Sequence, residues 1–278
     1  MRRMGTTQRQ LPVRNEENRA AVRPGIIVKS SEEIAIMRAA GRRLAASLAI
    51  LAEKVRPGVA TGDLDRVVDR EFRRRGIVPS FKGYRGYPAS VCVSVNDEVV
   101  HGIPGKRILR EGDLVSLDLG AIYNGYQSDA AITVGVGVIS LQAQDLIEVT
   151  KKALELGISA AVVGARIGDI SWAVQSFVES KGYSVVREYA GHGIGREMHE
   201  EPQVPNFGIP GRGALLQEGI VLAIEPMVNA GGWRTRTLED GWTVCTLDGS
   251  LTAHFEHTVA IWAKGPEVLT RLDSAEVV

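Results

Sequence analysis

Apolar residues recur at the spacing of an amphipathic helix soon after residue 28. Ser30 followed three residues later by Glu33 is the capping-box pattern with which many helices begin. The apolar stripe that follows consists of Ile34, Met37, Leu44, Leu48 and Leu51. The pattern predicts that ordered structure begins near Val28 and opens with a long helix.

A second helical pattern extends from Thr61 to Arg75, and Gly76 stands where a left-handed C-cap would end it. Helical spacing returns over residues 141–156 and 170–180, which predicts two further helices. Short runs rich in β-branched residues predict strands, namely SVCVSV (90–95), LVSLDLG (114–120), GIVLAIEPMV and HFEHTVAIW. These elements describe a chain that mixes helices with strands.

A faint internal repeat relates the two halves of the chain. Both copies have the form G-x-x-x-G-D-[LI], followed by an amphipathic helix that ends at glycine. The first copy contains Gly58, Gly62, Asp63, Leu64, Val68 and Gly76, and the second contains Gly164, Gly168, Asp169, Ile170, Val174 and Gly182. Chance matches in a glycine-rich chain are the alternative to a duplication. A duplicated chain favours one composite domain, with its site in the cleft between the halves.

The bulk composition is that of a globular protein without a charge bias. The chain has 278 residues, of which 44% are hydrophobic and 24% charged, and its formal net charge is zero. A neutral chain has no overall attraction to nucleic acid or to an anionic membrane. Its two cysteines, Cys92 and Cys245, do not make a disulfide framework, which favours a reducing cytoplasm.

The charge is uneven at the N-terminus. Through Ile27 the sequence has six arginines against Glu16 and Glu17, a local net charge of +4. Because apolar periodicity is scarce there, we predict a basic, flexible arm at residues 1–27 and a folded domain at residues 28–278. Two roles for the arm stay open: a disordered leader, or a docking tail for an acidic surface such as ribosomal RNA. The arm lacks the apolar segment of a signal peptide, and no stretch approaches the roughly 20 apolar residues that span a bilayer.

Four acidic residues interrupt hydrophobic or small-residue runs, where a charge is costly to bury. They are Asp118 in LVSLDLG, Asp129 in GYQSDAAIT, Glu225 in LAIEPM and Glu256 in HFEHT. Asp118 and Asp129 flank Asn124-Gly125, a strong hairpin signal, so two antiparallel strands can bring both carboxylates to one face. Strand acids paired with nearby basic side chains are the alternative, but no basic residue lies between Glu111 and Thr150.

These acids together predict a dinuclear metal site. Burying four carboxylates without cations costs many kcal/mol or forces most of them to protonate. Two divalent cations offset four negative charges, and oxygen ligands with one imidazole suit Mn, Fe, Co or Zn. We predict that the imidazole is His192, which stands between glycines in GHGIG. A phosphate loop is a weaker interpretation of these glycines, because the P-loop lysine and Ser/Thr are missing.

The chemistry expected of such a site is hydrolysis by a metal-activated water. His101 and His199 are then better interpreted as groups that contact the substrate or the ligands. A neutral imidazole there can donate to a peptide carbonyl or shuttle protons near pH 7.

Several motifs resemble those of type I methionine aminopeptidase in both order and spacing. They are SVNDEVVHGIPG, SLDLGAIYNGYQSDAAIT, GHGIGREMHEEPQVPNFG, AIEPMV and the region from DGWTV to FEHT, and the similarity extends from residue 28 to about 270. The resemblance implies peptidase family M24 and the pita-bread (creatinase/aminopeptidase) fold, a pseudo-two-fold α/β (α+β) catalytic domain. It also implies that Asp129 and Glu256 bridge two metal ions, that Asp118 binds one ion, and that His192 and Glu225 bind the other.

The same resemblance implies hydrolysis of the initiator methionine from a nascent protein whose second residue is small and uncharged. Glu225 is expected to relay a proton to the leaving amine, His199 to stabilise the carbonyl oxygen, and His101 to contact the scissile amide nitrogen. The implied methionine pocket consists of Phe81, Tyr84, Tyr87, Cys92, Met198 and Trp242. Met198 departs from the aromatic residue often found before the second histidine in relatives, so we expect a larger or softer pocket wall.

The implied partners are nascent polypeptide N-termini, with ribosome association open and with no membrane and no sequence-specific nucleic acid. The arm contains no cysteine or histidine and so lacks the zinc-finger extension of eukaryotic relatives, which favours a bacterial-type, cytoplasmic enzyme; nothing demands more than a monomer. Two rival functions stay open. An X-Pro aminopeptidase or prolidase shares the ligands but usually has a substantial N-terminal domain, and a non-catalytic binding module should lack one or more ligands.

Overall fold

The computed structural model describes residues 25–272, and four α-helices lie within that range. They are α1 (Ser31–Ala52), α2 (Thr61–Arg75), α3 (Leu141–Ala160) and α4 (Ile167–Ser180). The predicted capping box of α1 is confirmed, because Ser30 Oγ accepts from the Glu33 amide and Glu33 Oε2 accepts from the Ser30 amide at 2.8 Å. The predicted end of α2 is confirmed as well, with Gly76 at φ 65° in the left-handed region.

Most of the remaining described chain forms antiparallel sheet. The strands are β1 (Val78–Pro79), β2 (Cys92–Val95), β3 (Glu98–Val100), β4 (Leu114–Tyr123), β5 (Tyr126–Gly135), β6 (Ser184–Val185), β7 (Ala190–Gly193), β8 (Glu200–Pro205), β9 (Val221–Ile224), β10 (Met227–Asn229), β11 (Thr235–Thr237), β12 (Val244–Thr246), β13 (Thr252–His254), β14 (Glu256–Trp262) and β15 (Gly265–Val268). The largest sheet has the spatial order β1, β4, β5, β14, β9, β7, β8, while β2 also pairs with β4 and β15 with β14. Two small sheets, β13-β10-β6 and β11-β12-β3, complete the strand pairing.

The β4–β5 hairpin turns at the predicted Asn124-Gly125 step. Both residues have positive φ, 47° and 79°, as a two-residue hairpin turn of this kind requires. In the resulting register Asp118 lies opposite Ala131 and Asp129 lies opposite Gly120. The two aspartates are therefore diagonal neighbours on one face of the hairpin, because side chains alternate between faces along a strand.

The structure carries the internal repeat that the glycine pattern predicts. In each copy the segment before the repeated helix makes an isolated antiparallel bridge, Ala60 with Ile108 and Arg166 with Leu215. The backbone hydrogen bonds repeat in the same way, from Gly58 to Leu109, Gly62 to Gly105, Gly164 to Leu216 and Gly168 to Arg212. The two halves thus place equivalent helices, α2 and α4, with equivalent backbone contacts.

Two large hydrophobic clusters match the two halves. The first packs α1 and α2 against β2 and β4 around Phe72, and the second packs α3 and α4 against β9 and β14 around Ile170. Full burial of a large apolar side chain contributes roughly 1.5–3 kcal/mol, so these clusters stabilise the sheet that carries the polar site. Among residues 25–272, no helix has the length and apolar character needed to cross a membrane.

The predicted arm falls almost wholly on residues 1–24, which lie outside the described residues. Near the start of the described residues, Ile26 forms a parallel bridge with Glu201 at the edge of the second half. The division into an arm and a domain at residue 28 therefore stays a prediction.

Candidate metal centre and substrate pocket

The five predicted ligands come from five neighbouring strands at the middle of the large sheet. Asp118 lies on β4, Asp129 on β5, Glu256 at the start of β14, and His192 on β7, while Glu225 directly follows β9. The register joins them, because Glu256 pairs with Ala131 and His192 pairs with Ala223. The sheet order therefore gathers side chains that are up to 138 positions apart in the sequence.

Three of these side chains are close enough to share one ion. Donor atoms of Asp129, His192 and Glu256 all lie within 4.8 Å of one another, and all three residues are buried. His192 Nε2 lies 3.7 Å from Glu225 Oε1 and 4.0 Å from Asp129 Oδ2. Asp118 lines the same pocket.

The carboxyl groups have environments that oppose their ionisation. Burial raises the pKa of Asp118 from its ordinary 3.8 to about 7. Burial also raises the pKa values of Asp129, Glu225 and Glu256, and the charges of neighbouring carboxylates in the site raise them further. Within residues 25–272, the ionisable nitrogens found within 4.0 Å of these carboxylates belong to histidines, not to lysine or arginine.

The donor set fits divalent cations. One oxygen of each of Asp118, Asp129 and Glu256 is buried without a hydrogen-bond partner. A buried carboxylate oxygen left unpaired is costly, and this group of oxygens with one imidazole is the ligand chemistry of Mn, Fe, Co or Zn. Divalent cations bound here would satisfy these oxygens and offset the mutual repulsion of the carboxylates.

His192 has the tautomer and orientation of a metal ligand. Its Nδ1 lies 2.9 Å from the Gly193 carbonyl oxygen, which can only accept, so Nδ1 carries the proton and Nε2 faces the carboxylates with a free lone pair. Burial lowers the pKa of His192 to about 4, which keeps the ring neutral at pH 7. The flanking glycines allow close approach of strands, because a Cβ on Gly191 would meet Ala223 O at 2.4 Å and one on Gly193 would meet Glu201 O at 2.2 Å.

One buried histidine beside the acids was missed by sequence reasoning. His254 is 1% exposed, and neither of its ring nitrogens has a hydrogen-bond partner. Its Nε2 lies 3.9 Å from Glu225 Oε2 and 4.0 Å from Glu256 Oε2. The sequence spacing could have indicated that His254 lies beside Glu256, because residues two apart on consecutive strand segments share a face.

A small pocket of about 200 Å³ opens directly above the acids. This volume lies below the roughly 300–1,000 Å³ of a drug-sized site. The six residues that the family resemblance implies for it all line it: Phe81, Tyr84, Tyr87, Cys92, Met198 and Trp242. His101, His199 and Arg85 line it too, and Arg85 gave no signal in the sequence beyond that of an exposed loop residue.

Aromatic rings form the apolar wall of this pocket. Tyr87 packs edge-on against Phe81 at 6.5 Å and against Trp242 at 5.1 Å between ring centroids. The Tyr87 hydroxyl donates to Gly102 O at 2.9 Å, which fixes the ring from behind. Cys92 is buried beside it, and burial raises the pKa of the Cys92 thiol, so it serves as a small apolar surface.

Met198 belongs both to the pocket and to the core. It packs in a cluster with Ile34 and Met37, and its methyl group lies against Gly120, where a Cβ would be 2.9 Å away. Met198 therefore contributes its thioether to both the pocket wall and the core, and a larger or softer wall at this position stays a prediction.

The two histidines predicted to contact substrate both line the pocket, His101 beside Trp242 and His199 beside Tyr84. His101 has φ 62°, a backbone strain typical of functional positions, and burial lowers its pKa to about 4. His199 is exposed, its Nδ1 lies 3.0 Å from the Tyr84 hydroxyl, and its ring centroid lies 4.3 Å from that of His192. Partial desolvation of the His199 ring by its neighbours, followed by the charge of Arg85, lowers its pKa.

A duplicated α/β sheet with buried carboxylates and an imidazole at its centre defines a metal-dependent hydrolase of the pita-bread fold. The model of Metallopeptidase family M24 matches residues 35–263. The chain is 55% identical to the methionine aminopeptidase of Clostridium perfringens over 245 residues, covering 88% of this chain and 98% of that protein. It is 50% identical over 247 residues to methionine aminopeptidase 1 of Bacillus subtilis, covering 89% of this chain and all of that protein. The chain therefore belongs to metallopeptidase family M24 and, within it, to the bacterial type I methionine aminopeptidases.

Solved structures agree with this assignment. The methionine aminopeptidase of Thermotoga maritima superposes with a TM-score of 0.88 at 47% identity, covering 89% of this chain and 100% of that one. The prolidase of Pyrococcus furiosus superposes with a TM-score of 0.72 at 24% identity, covering 89% of this chain but only 66% of that one. The second likeness concerns the fold alone.

Proposed function

We propose that this chain removes the N-terminal methionine from newly made proteins whose second residue is small and uncharged. The observation that carries the proposal is the position of three buried carboxylates, the half-buried Glu225 and a neutral imidazole beside a small, aromatic-walled pocket. The proposal also draws on the close relatives, which are named methionine aminopeptidases. An apolar, polarisable pocket of this size suits a single thioether side chain.

The proposed cofactor is a pair of divalent metal ions held by Asp118, Asp129, His192, Glu225 and Glu256. The support is the set of buried, unpaired carboxylate oxygens beside the free Nε2 of His192. When bound, such ions supply Lewis acidity toward a peptide carbonyl and lower the pKa of water toward neutrality. The donor set suits Co, Mn, Fe or Zn, and does not distinguish among them.

Glu225 is the proposed proton carrier. Its carboxyl group lines the pocket, with Oε1 3.7 Å from His192 Nε2, where it can take a proton from the attacking water and hold it until the amine leaves. Asn206 Nδ2 donates to the Glu225 backbone carbonyl at 3.1 Å, which holds this residue at the end of β9.

His199 and His101 are proposed to contact the scissile peptide group. If the Tyr84 hydroxyl donates to His199 Nδ1, the Nε2–H of the ring is left to donate to the substrate carbonyl oxygen, where negative charge develops. His101, neutral because of its lowered pKa, faces the same pocket from the Trp242 side and can accept from the amide nitrogen. Neither contact requires a change of charge at pH 7.

One reconstitution experiment tests the assignment. The purified chain is stripped of metal, reloaded with Mn, Fe, Co or Zn, analysed for bound metal, and assayed with a Met-Ala peptide and with an Ala-Pro dipeptide. We expect two bound ions per chain, release of methionine from the Met-Ala peptide and no cleavage of the Ala-Pro dipeptide. Turnover of the Pro dipeptide without Met-Ala cleavage would favour the prolidase alternative, and a metal-free, inactive chain would favour a binding module.

Glu225→Gln separates the chemistry from the fold. We expect this variant to remain folded, with a cooperative urea unfolding transition, yet to lose at least about 100-fold in turnover, within the range that a proton-transferring group contributes. Near-normal turnover of the Met-Ala peptide would contradict the proton-carrier role.

The chain's own N-terminus provides a check on the substrate. Residue 2 is Arg, a large charged side chain, so the proposed specificity predicts that the enzyme retains its own Met1. Intact-mass measurement of the purified protein checks this, and loss of Met1 would count against the proposed specificity.

We also propose that the chain works as a monomer in the cytoplasm and meets nascent chains at the ribosome through its basic arm. The support is the net charge of +4 through Ile27 and the absence of a disulfide between the buried cysteines. Co-sedimentation with ribosomes should fall when residues 1–24 are deleted, while cleavage of a short peptide should not. Unchanged co-sedimentation would leave the arm as a simple leader.

A further inference from the structure

The mouth of the pocket is formed by very few side chains. Of the fourteen residues that line it, only Arg85 and His199 are exposed, and the others are buried or half-buried. With methionine in the aromatic-walled pocket and the scissile bond beside His199, the rest of a substrate must leave between or past these two residues. Arg85 is therefore on the exit path of the peptide.

Arg85 brings a positive charge that has no carboxylate partner among the described residues. Across residues 25–272, no carboxylate lies within 4.0 Å of its guanidinium, which instead stacks 5.4 Å from the Tyr84 ring centroid. Other basic residues near this part of the chain are already paired, as Lys82 is with Asp69 at 3.2 Å. The charge of Arg85 also reaches the site, because it lowers the pKa of His199.

The backbone holds Arg85 at the mouth by a strained turn. Arg85 has φ 48° and ψ 23°, inside a short 3-10 turn between Gly83 at φ 86° and Gly86 at φ 91°. The neighbouring Tyr84 is tied to His199 through its hydroxyl at 3.0 Å. A non-glycine residue in the left-handed region at a binding site is a strain that function commonly explains.

We propose that Arg85 selects substrates with an acidic side chain just beyond the scissile bond, first at the third residue of the substrate. This deepens the proposed aminopeptidase function and rests on it. The first side chain fills the pocket and the second is small, so the third is the first one free to meet a group at the mouth. A carboxylate there can pair with the planar guanidinium in a two-point contact.

The test compares amidated peptides that differ only at the third residue: Met-Ala-Glu, Met-Ala-Gln and Met-Ala-Lys, each followed by the same neutral residues. At low salt we expect kcat/KM for the Glu peptide to exceed that for the Gln peptide about two- to fivefold, the range for an exposed ion pair. The Lys peptide should fall below both. The preference should act through KM and shrink at 0.5 M salt, because screening acts on exposed charges.

Substitutions of Arg85 test whether this residue causes the preference for the Glu peptide. Arg85→Gln should bring the Glu-to-Gln ratio of kcat/KM close to one, Arg85→Lys should keep part of it, and Arg85→Glu should invert it. Arg110→Gln removes an exposed arginine that does not line the pocket and controls for net charge; its ratio should equal that of the parent chain. A Met-Ala-Gln peptide with a free carboxyl end separates side-chain recognition from recognition of a chain terminus.

Equal kcat/KM for the Glu and Gln peptides at low salt would overturn the proposal, as would a ratio that persists in Arg85→Gln. A preference seen only for the free carboxyl end would overturn its assignment to a side chain. All these outcomes presuppose release of methionine from the Gln peptide. If no peptide is cleaved by the metal-loaded enzyme, the aminopeptidase function itself has failed.

Discussion

Replacing Asp118 with asparagine should stabilise the metal-free protein at neutral pH. The carboxyl group is buried, and its pKa rises from 3.8 to about 7 on folding. A group whose pKa is raised in this way contributes stability that is complete below pH 3.8 and is lost as the pH rises through about 7. Asparagine has nearly the same shape and never ionises, so the variant does not suffer this loss.

The size of the effect follows from the shift. Between pH 5 and pH 8, ionisation of Asp118 lowers the free energy of unfolding of the parent chain by about 3 kcal/mol. The variant has no ionisable group at this position and does not lose this stability. The variant should therefore gain about 3 kcal/mol over the parent between these pH values, or about 6–12 °C in melting temperature for a chain of this size. Relief of Asp129, Glu225 and Glu256, whose pKa values Asp118 raises, adds in the same direction.

Urea denaturation of both proteins in chelator, at pH 5 and pH 8, measures this difference. With metal restored the difference should narrow by about 2.7 kcal/mol at a free metal concentration 100 times the parent's Kd, because the variant has lost a ligand. Comparing the two proteins at each pH cancels the contribution of the histidines. If Asp118→Asn is no more stable than the parent in chelator at pH 8, burial does not oppose ionisation of the Asp118 carboxyl group in the way described.

Two further predictions concern the segment that carries His199. Lys29→Met leaves Glu200 buried without its 2.5 Å partner and should lower the free energy of unfolding, measured in urea, by about 3–5 kcal/mol. The double variant Lys29→Met with Glu200→Gln should recover part of this loss. An unchanged unfolding midpoint in the single variant would contradict the importance of the pair. Tyr84→Phe removes the hydroxyl 3.0 Å from His199 and should lower kcat several-fold with an unchanged unfolding curve, since only the orientation of one ring is lost; a change in KM alone would contradict this role.

The sequence identified the acids and their chemistry because a charge inside an apolar run is costly to bury and therefore indicates a functional role. It also predicted that Asp118 and Asp129 share a face, since the Asn124-Gly125 turn sets the register of the hairpin. The resemblance to a known family added the pocket residues, all of which line one cavity in the structure. What these signals have in common is that each rests on a short segment or on a motif.

Arg85 and His254 show where sequence reasoning stopped. Arg85 looks like an ordinary loop residue, and only the folded chain places it at the mouth of the pocket beside His199, which is 114 positions away. His254 shares a strand face with Glu256, but its contact with Glu225 depends on how β13 and β14 lie against the end of β9. Neither position has a local signature of its long-range neighbours.

Local hydrogen bonds explain what the sequence determined by itself. The capping box of α1, the left-handed Gly76 after α2 and the hairpin turn each involve atoms within a few residues, so residue type alone specifies them. The order of the strands, which brings Asp118, His192 and Glu256 together, was decided only by the tertiary structure. That order follows from burying the apolar faces of both halves at once, and this depends on the whole chain.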